Sequence, residues 1–118
     1  MADSIVAQKA FQFAIRIVKL YMFLKEQKQE YVLAKQLLRS GTSIGANTAE
    51  AVAAQSKPDF IHKLHIALKE ARETNYWLRL LHAVGLIESA AFNSIYADCI
   101  ELQKMLSSII LTSKKNKP

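Results

Sequence analysis

The chain has 118 residues, which is enough for one domain and too few for two separate cores. Apolar residues make up 51% of it, with only 3 Gly and 2 Pro, a composition that excludes collagen-like, disordered and loop-rich β chains and favours long helices. Lys and Arg number 16 against 10 Asp and Glu, and the formal charge of +6 makes acidic partners reasonable, nucleic acid first among them.

Cysteine usage and the N-terminus indicate a cytoplasmic protein. The single cysteine, Cys99, cannot form an internal disulfide, and the N-terminus lacks the pattern of a secretory signal. The longest uncharged run, residues 40–49, is far shorter than the ~20 apolar residues of a membrane-spanning helix. We therefore expect a soluble protein with no membrane partner.

The first predicted helix, about residues 4–25, is more apolar than one packing contact requires. Its core-facing positions are Val6, Ala10, Phe13, Ile17, Leu20 and Leu24, which alternate by fours and threes. A neighbouring stripe is also apolar and consists of Ala7, Phe11, Ala14, Val18 and Tyr21. Roughly half of the helix circumference is therefore apolar. We expect Phe11, Val18 and Tyr21 to contact a further partner.

The second helix, about residues 31–54, has an unusually polar core-facing stripe. Its positions are Leu33, Leu37, Ser40, Ile44, Asn47, Ala51 and Ala54. Gly41 and Gly45 predict a groove for the close approach of another backbone, since each helical glycine costs about 1 kcal/mol relative to alanine. Asn47 is expected to fix helix register through a buried hydrogen bond, as polar core residues do in coiled coils.

Two further helices follow, at about residues 57–84 and 89–112. Ser56 predicts the start of the third, Gly85 its end, and Ser89 the N-cap of the fourth. Cys99 falls on the core-facing stripe of the fourth helix, where an inert buried thiol is expected. Long helices with short connections predict an all-α, antiparallel up-down-up-down four-helix bundle. The bundle domain covers residues 1–113, and residues 114–118 form a disordered basic tail.

No pattern of catalytic or metal-binding residues stands out, so we expect neither enzyme activity, nor a cofactor, nor a metal. A di-iron bundle would need Glu-x-x-His pairs on facing helices, and the chain has none. A metal enzyme built on Glu50, Glu70, Glu73 and His62 is a remote alternative. Glu70 and Glu73 are instead expected to pair with Arg79 or Lys63.

The sequence feature that does point to a function is a basic stripe on the third helix, on the side away from the core. Its members recur by threes and fours and are His62, His65, Lys69, Arg72, Tyr76 and Arg79. Such cations can contact phosphates, and the tyrosine can stack on an unpaired base. The first helix offers a smaller set, Lys9, Gln12, Arg16 and Lys19. Both sets could equally be the solvated faces of amphipathic helices.

Residues 38–81 contain a series of short motifs that resemble one bacterial family. The motifs are Ser43-Ile44, Asn47, Ala49-Glu50, Asp59-Phe60, Lys63-Leu64, Ile66-Ala67, Lys69-Glu70-Ala71, Glu73 and Tyr76-Trp77-Leu78. In these the chain closely resembles the four-helix-bundle family named for proteins encoded in intervening sequences of 23S ribosomal RNA genes. Thr48 departs from the pattern, because the family more often has an aliphatic residue there.

The resemblance implies a four-helix bundle that assembles as a ring-like homopentamer. It is similar to the accessory protein of diversity-generating retroelements, which has the same bundle, a basic nucleic-acid-binding surface and a reverse transcriptase as its partner. No catalytic residues come with the family. A pentamer would give the apolar first helix and the glycine groove a second subunit to contact.

Two functions from different classes follow as expectations. The first is an oligomeric, non-enzymatic protein that binds RNA or DNA through its basic helix faces. The alternative is a protein–protein interaction scaffold without a nucleic-acid role. The excess charge is uneven, because residues 1–39 carry most of it, residues 40–113 are nearly neutral and the tail adds Lys114, Lys115 and Lys117.

Overall fold

Four helices make up most of residues 2–116, the part of the chain that the computed structural model describes, with side chains described from residue 5. They are α1 (Ala2–Gln27), α2 (Val32–Val52), α3 (Lys57–Ala83) and α4 (Ser89–Lys115). These bounds lie within a few residues of the predicted ones. The main difference is at the end, where Lys114 and Lys115 continue α4 instead of belonging to a tail. Lys117 lies outside the described residues.

The helices form the predicted four-helix bundle. Each helix packs against the next along the chain, and α4 returns to α1. The connections are short, so that consecutive helices run antiparallel. The result is a rod of 50 × 20 × 19 Å. Contact between α1 and α4 is the least extensive of the four interfaces.

The ends of α3 are those that the sequence predicts. Ser56 Oγ accepts a hydrogen bond from the Asp59 backbone N–H at 3.2 Å, which caps the first turn. Gly85 has a φ of 85°, a left-handed conformation that favours glycine. α3 therefore stops where a glycine can turn the chain toward α4.

The start of α4 differs from expectation, and α2 has a cap for which no prediction was made. Glu88, and not Ser89, occupies the N-cap position of α4, because the helix already includes Ser89. The Ser89 hydroxyl instead lies 3.2 Å from His82 Nε2. At α2 the cap comes from Glu30, whose carboxylate accepts from the backbone N–H groups of Leu33 and Ala34 at 2.6 and 3.0 Å.

The core is built from the predicted apolar stripes and contains three buried polar side chains. Its largest fully buried members are Phe13, Ile17, Leu24, Leu37, Ile44, Leu64, Leu78, Leu81, Leu102 and Leu106. The hydroxyls of Ser40 and Thr74 lie 2.9 Å apart in a hydrogen bond that joins α2 to α3. Thr48 donates to the Ile44 carbonyl oxygen at 2.7 Å. No buried side-chain nitrogen or oxygen lacks a partner within the described part of the chain.

The glycine groove of α2 is filled by α1 of the same chain. A Cβ at Gly41 would lie 2.7 Å from Ile17 side-chain carbons, and one at Gly45 would lie 3.3 Å from the Ala10 carbonyl oxygen. The two glycines therefore let α1 and α2 pack closely. The prediction of a close backbone approach is confirmed at Gly45, whereas at Gly41 the neighbour is the side chain of Ile17. Both contacts lie within one chain, so the groove does not need a second subunit.

Asn47 does not hold the register of the bundle as expected. Its side chain is half-buried and donates to the Ser43 carbonyl oxygen at 2.9 Å, within α2. Thr48, one position later, is the residue that faces the core. One residue corresponds to about 100° of rotation, which is enough to move a side chain from the core to its margin.

Candidate nucleic-acid interface

The six residues of the basic stripe lie on the outer side of α3. All of them are exposed, whereas the core-facing side of the same helix is buried from Leu64 to Leu81. From His62 to Arg79 the stripe covers about 25 Å along the helix, at about 1.5 Å per residue. The sequence therefore places these side chains on one continuous, solvent-facing surface.

Three cations of the stripe have no close carboxylate among the described side chains. Within residues 5–116, neither Lys69 nor Arg72 nor Arg79 lies within 4 Å of a carboxylate oxygen. Lys69 acts on Glu73 only at longer range, where its charge helps to lower the pKa of that carboxyl. Arg79 Nε donates to Asn75 Oδ1 at 2.9 Å, and its guanidinium lies 6.0 Å from the centre of the Tyr76 ring. Tyr76 is 50% exposed, and its ring also packs against Trp77 in an edge-to-face arrangement, with 5.1 Å between the ring centres.

The basic set on α1 is in a different electrostatic setting. Lys9 Nζ lies 3.2 Å from a Glu101 carboxylate oxygen, and Arg16 lies 2.6 Å from Asp98, so both cations bridge to α4. Arg16 also donates to the Ser94 hydroxyl at 2.9 Å. Lys19 is exposed and has no carboxylate partner in the described range.

Glu70 and Glu73 pair with a residue other than the expected ones. Arg39, on α2, forms ion pairs with both carboxylates. Lys63 pairs instead with Glu50 at 2.8 Å. The expectation that Arg79 or Lys63 would be the partner of Glu70 and Glu73 is therefore wrong, because the docking of α2 on α3 places Arg39 between them.

Glu73 interacts both with Arg39 on α2 and with Trp77 on its own helix. Trp77 Nε1 donates to its carboxylate at 3.1 Å. This hydrogen bond and the Arg39 guanidinium lower the pKa of Glu73 against the opposing effect of burial. The carboxylate is thus held in its charged form by neighbours on both α2 and α3.

Both the family models and the solved structures include matches to this chain. The family model of the 23S rRNA-intervening sequence protein matches residues 2–108. The chain belongs to the 23S rRNA-intervening sequence protein family. A crystal structure from Bacteroides thetaiotaomicron VPI-5482, described as a protein with unknown function from the S23 ribosomal protein family, is 55% identical with a TM-score of 0.91. The match covers 93% of this chain and 98% of that one. None of the curated proteins matches the chain.

In this intervening-sequence protein, some of the motif residues take part in the contact between α2 and α3. Glu50 on α2 pairs with Lys63 on α3. Arg39 on α2, which is outside the motifs, pairs with the motif residue Glu73, and Glu73 also accepts a hydrogen bond from Trp77 of its own helix.

The other candidate residues for chemistry are the carboxylates, the cysteine and two histidines. No cluster of three or more His, Cys, Asp or Glu residues suitable for a metal occurs within the described range. Cys99 is buried, and its Sγ lies 3.4 Å from the Ala71 carbonyl oxygen. Burial raises the pKa of the thiol to about 12. His62 and His65 are both exposed on the basic stripe.

A second exposed surface on α1 is apolar. Phe11, Ile15, Val18 and Met22 are spaced by four, three and four residues and are all exposed, Phe11 by 64%. We call these four residues the apolar stripe. Tyr21, predicted to belong to the same surface, is half-buried and packs against the core of its own chain. Ile15 and Met22 were missed, although their spacing from Phe11 and Val18 is that of one helix face.

The helices of the described chain include none long and apolar enough to cross a membrane.

Proposed function

We propose that this intervening-sequence protein is a non-enzymatic, self-associating protein that binds RNA or DNA through the basic stripe of α3. The observation that carries the proposal is the exposure of Lys69 and Arg72 with no carboxylate oxygen within 4 Å among the described side chains. Arg79 and Tyr76 continue the same surface. Cations in this state can contact phosphates without first breaking an ion pair, and such contacts fix a strand in place without reading its sequence.

The α1 set has a smaller role in this proposal. Lys9 and Arg16 would have to exchange Glu101 and Asp98 for phosphates, so the net gain from each contact would be small. Lys19 has no such cost. Lys114 and Lys115, at the end of α4, can add non-specific attraction.

We further propose that the protein acts as a homopentamer and that the apolar stripe of α1 lies in the subunit interface. Four exposed apolar side chains on one helix face are a surface that association would remove from water. Repetition of the basic stripe in each subunit would let weak phosphate contacts add through a higher effective concentration.

The binding test compares two double variants with equal changes in net charge. Arg72→Glu with Arg79→Glu reverses two cations of the stripe, whereas Lys35→Glu with Lys104→Glu reverses two exposed cations elsewhere. We expect the wild type to bind a structured RNA or a single-stranded DNA at low salt, the stripe variant to lose at least about tenfold in affinity, and the control to lose less. Failure of the wild type to bind either ligand would refute the proposal.

The alternative is a scaffold whose partner is another protein, such as a reverse transcriptase. It predicts a partner complex that survives nuclease treatment and high salt. The basic stripe favours the nucleic-acid proposal, because cations spaced along one helix face, with an exposed tyrosine among them, suit a strand of phosphates and unpaired bases. A reducing, cytoplasmic location is proposed on the unpaired cysteine alone.

A further inference from the structure

The basic stripe leads into a pocket at one end of the bundle, between the start of α3 and the end of α4. The pocket has a volume of about 560 Å³ and a lining that is mostly apolar. Pro58 and Ile61 contribute from α3, and Ser113 contributes from α4. Lys57 and Lys114 also belong to its wall. It therefore combines an apolar interior with positive charge.

The pocket and the stripe share two residues. His62 and His65 line the pocket and are also the first two members of the stripe. Lys69 follows His65 by one helical turn on the same outer side of α3. A ligand that follows the stripe toward the start of α3 would thus arrive at the pocket.

We propose that this pocket receives one unpaired base of a single-stranded nucleic acid whose phosphates lie along the stripe. The inference rests on the proposed function and deepens it, because it selects single strands over duplexes. An unpaired base has apolar faces for the pocket interior, and imidazole rings such as those of His62 and His65 are among the side chains on which bases stack. The two lysines are placed to contact phosphates on either side of that base.

The charge of the pocket fits this ligand. The pocket is open to solvent, and its volume of about 560 Å³ leaves room for a base. The groove between α1 and α4 is comparable, at about 440 Å³, but Asp98 and Glu101 line it. Carboxylates there would repel a phosphate chain, whereas none of the described residues that line the α3–α4 pocket is a carboxylate.

A duplex cannot use the pocket in the same way. Its bases are paired and stacked inside, so that only phosphates and groove edges reach the protein. A single strand can turn a base outward at little cost. The stripe alone would bind both forms through their phosphates, and the pocket would add affinity for single strands only.

The test fills the pocket from α4. Ser113→Trp places an indole in it, and Thr112→Trp places the same group at an exposed neighbouring position that does not line it. The probe is a fluorescent oligothymidine of about 12 nucleotides, alone or annealed to its complement. We expect S113W to weaken single-strand binding by at least about fivefold and to leave duplex binding unchanged. T112W should bind both the single strand and the duplex as the wild type does.

A second measurement follows the base directly. An oligothymidine containing 2-aminopurine should change its base fluorescence on binding to the wild type and to T112W, and change less with S113W. Equal affinities and equal fluorescence changes for S113W and T112W would overturn the inference while leaving the stripe in place. Equal wild-type affinity for single strand and duplex would also overturn it. Absence of any binding by the wild type would refute the proposed function as well.

Discussion

Cys99 is a residue whose surroundings decide its chemistry. Burial raises the pKa of its thiol to about 12, so the thiolate that reacts with alkylating reagents is scarce at pH 8. We expect native protein to react with iodoacetamide far more slowly than protein unfolded in urea, where the same single cysteine is exposed. Mass spectrometry over time measures both rates. Equal rates in the two states would show that the thiol is accessible in the bundle.

Gly41 is the residue on which close packing of α1 and α2 depends most. A Cβ there would lie 2.7 Å from two side-chain carbons of buried Ile17. Overpacking of this kind costs about 1–3 kcal/mol, and the gain in helix propensity returns at most about 1 kcal/mol. We expect Gly41→Ala to lower the free energy of unfolding by up to about 2 kcal/mol in urea titrations.

The control is Gly41→Ala made in a variant that has a smaller side chain at residue 17. Ile17→Ala removes the carbons that a new Cβ would meet. In that background Gly41→Ala should be neutral or stabilising, because only the propensity gain is left. The same destabilisation in both backgrounds would mean that contact with Ile17 is not the cause.

At the scale of helices, the contact of α2 with α3 gives the protein a pH dependence. Trp77 and Arg39 lower the pKa of Glu73 from its ordinary value of 4.5. A carboxyl with a lowered folded-state pKa adds stability above pH 4.5, and this stability is lost as pH falls through the folded-state pKa. We expect Glu73→Gln to reduce the acid-induced loss of unfolding free energy below pH 4.5. Urea titrations across that range measure it.

The matched control for Glu73 is Glu26→Gln. Glu26 is exposed, and it forms no ion pair with any described residue. The E26Q variant should therefore show the same dependence of unfolding free energy on pH as the wild type. If E73Q and E26Q lose stability equally on acidification, Glu73 does not contribute in the proposed way.

The helices were predictable because their apolar positions repeat with the period of a helix, and because Ser56 and Gly85 mark ends through local hydrogen bonding and backbone conformation. Asn47 was misplaced because spacing leaves the rotation of a helix uncertain by one residue, and the neighbouring Thr48 was available for the core. The spacing of apolar residues thus predicts where a helix lies in the sequence better than it predicts which side chains at the edge of the core are buried.

The ion pairs could not be predicted for a different reason. Arg39 reaches Glu73 on the next helix, and Arg16 reaches Asp98 on a helix far along the chain. Such pairs depend on the axial offset between packed helices, which the spacing within one helix does not contain. The exposed basic stripe was predictable because it needs only the period of α3 itself.

For the whole molecule, association is tested through the apolar stripe. Phe11→Glu with Val18→Glu places two charges in the proposed interface, and burying them there is costly. We expect light scattering with size-exclusion chromatography to show a pentamer for the wild type and the 13.3 kDa of one chain for this variant. Val84→Glu, at an apolar position with 58% exposure outside the stripe, should remain pentameric. A wild type that is monomeric at high concentration would contradict the assembly.

The central claim is that cations of the basic stripe contact phosphates, and the salt dependence of binding tests it most directly. Each lost phosphate contact with a single strand should reduce the slope of log affinity against log salt by about 0.7. Arg72→Gln with Arg79→Gln should therefore lower the slope by about 1.4 for each subunit engaged. Lys35→Gln with Lys104→Gln should leave it unchanged. The same slope for the wild type and the stripe variant would contradict the account.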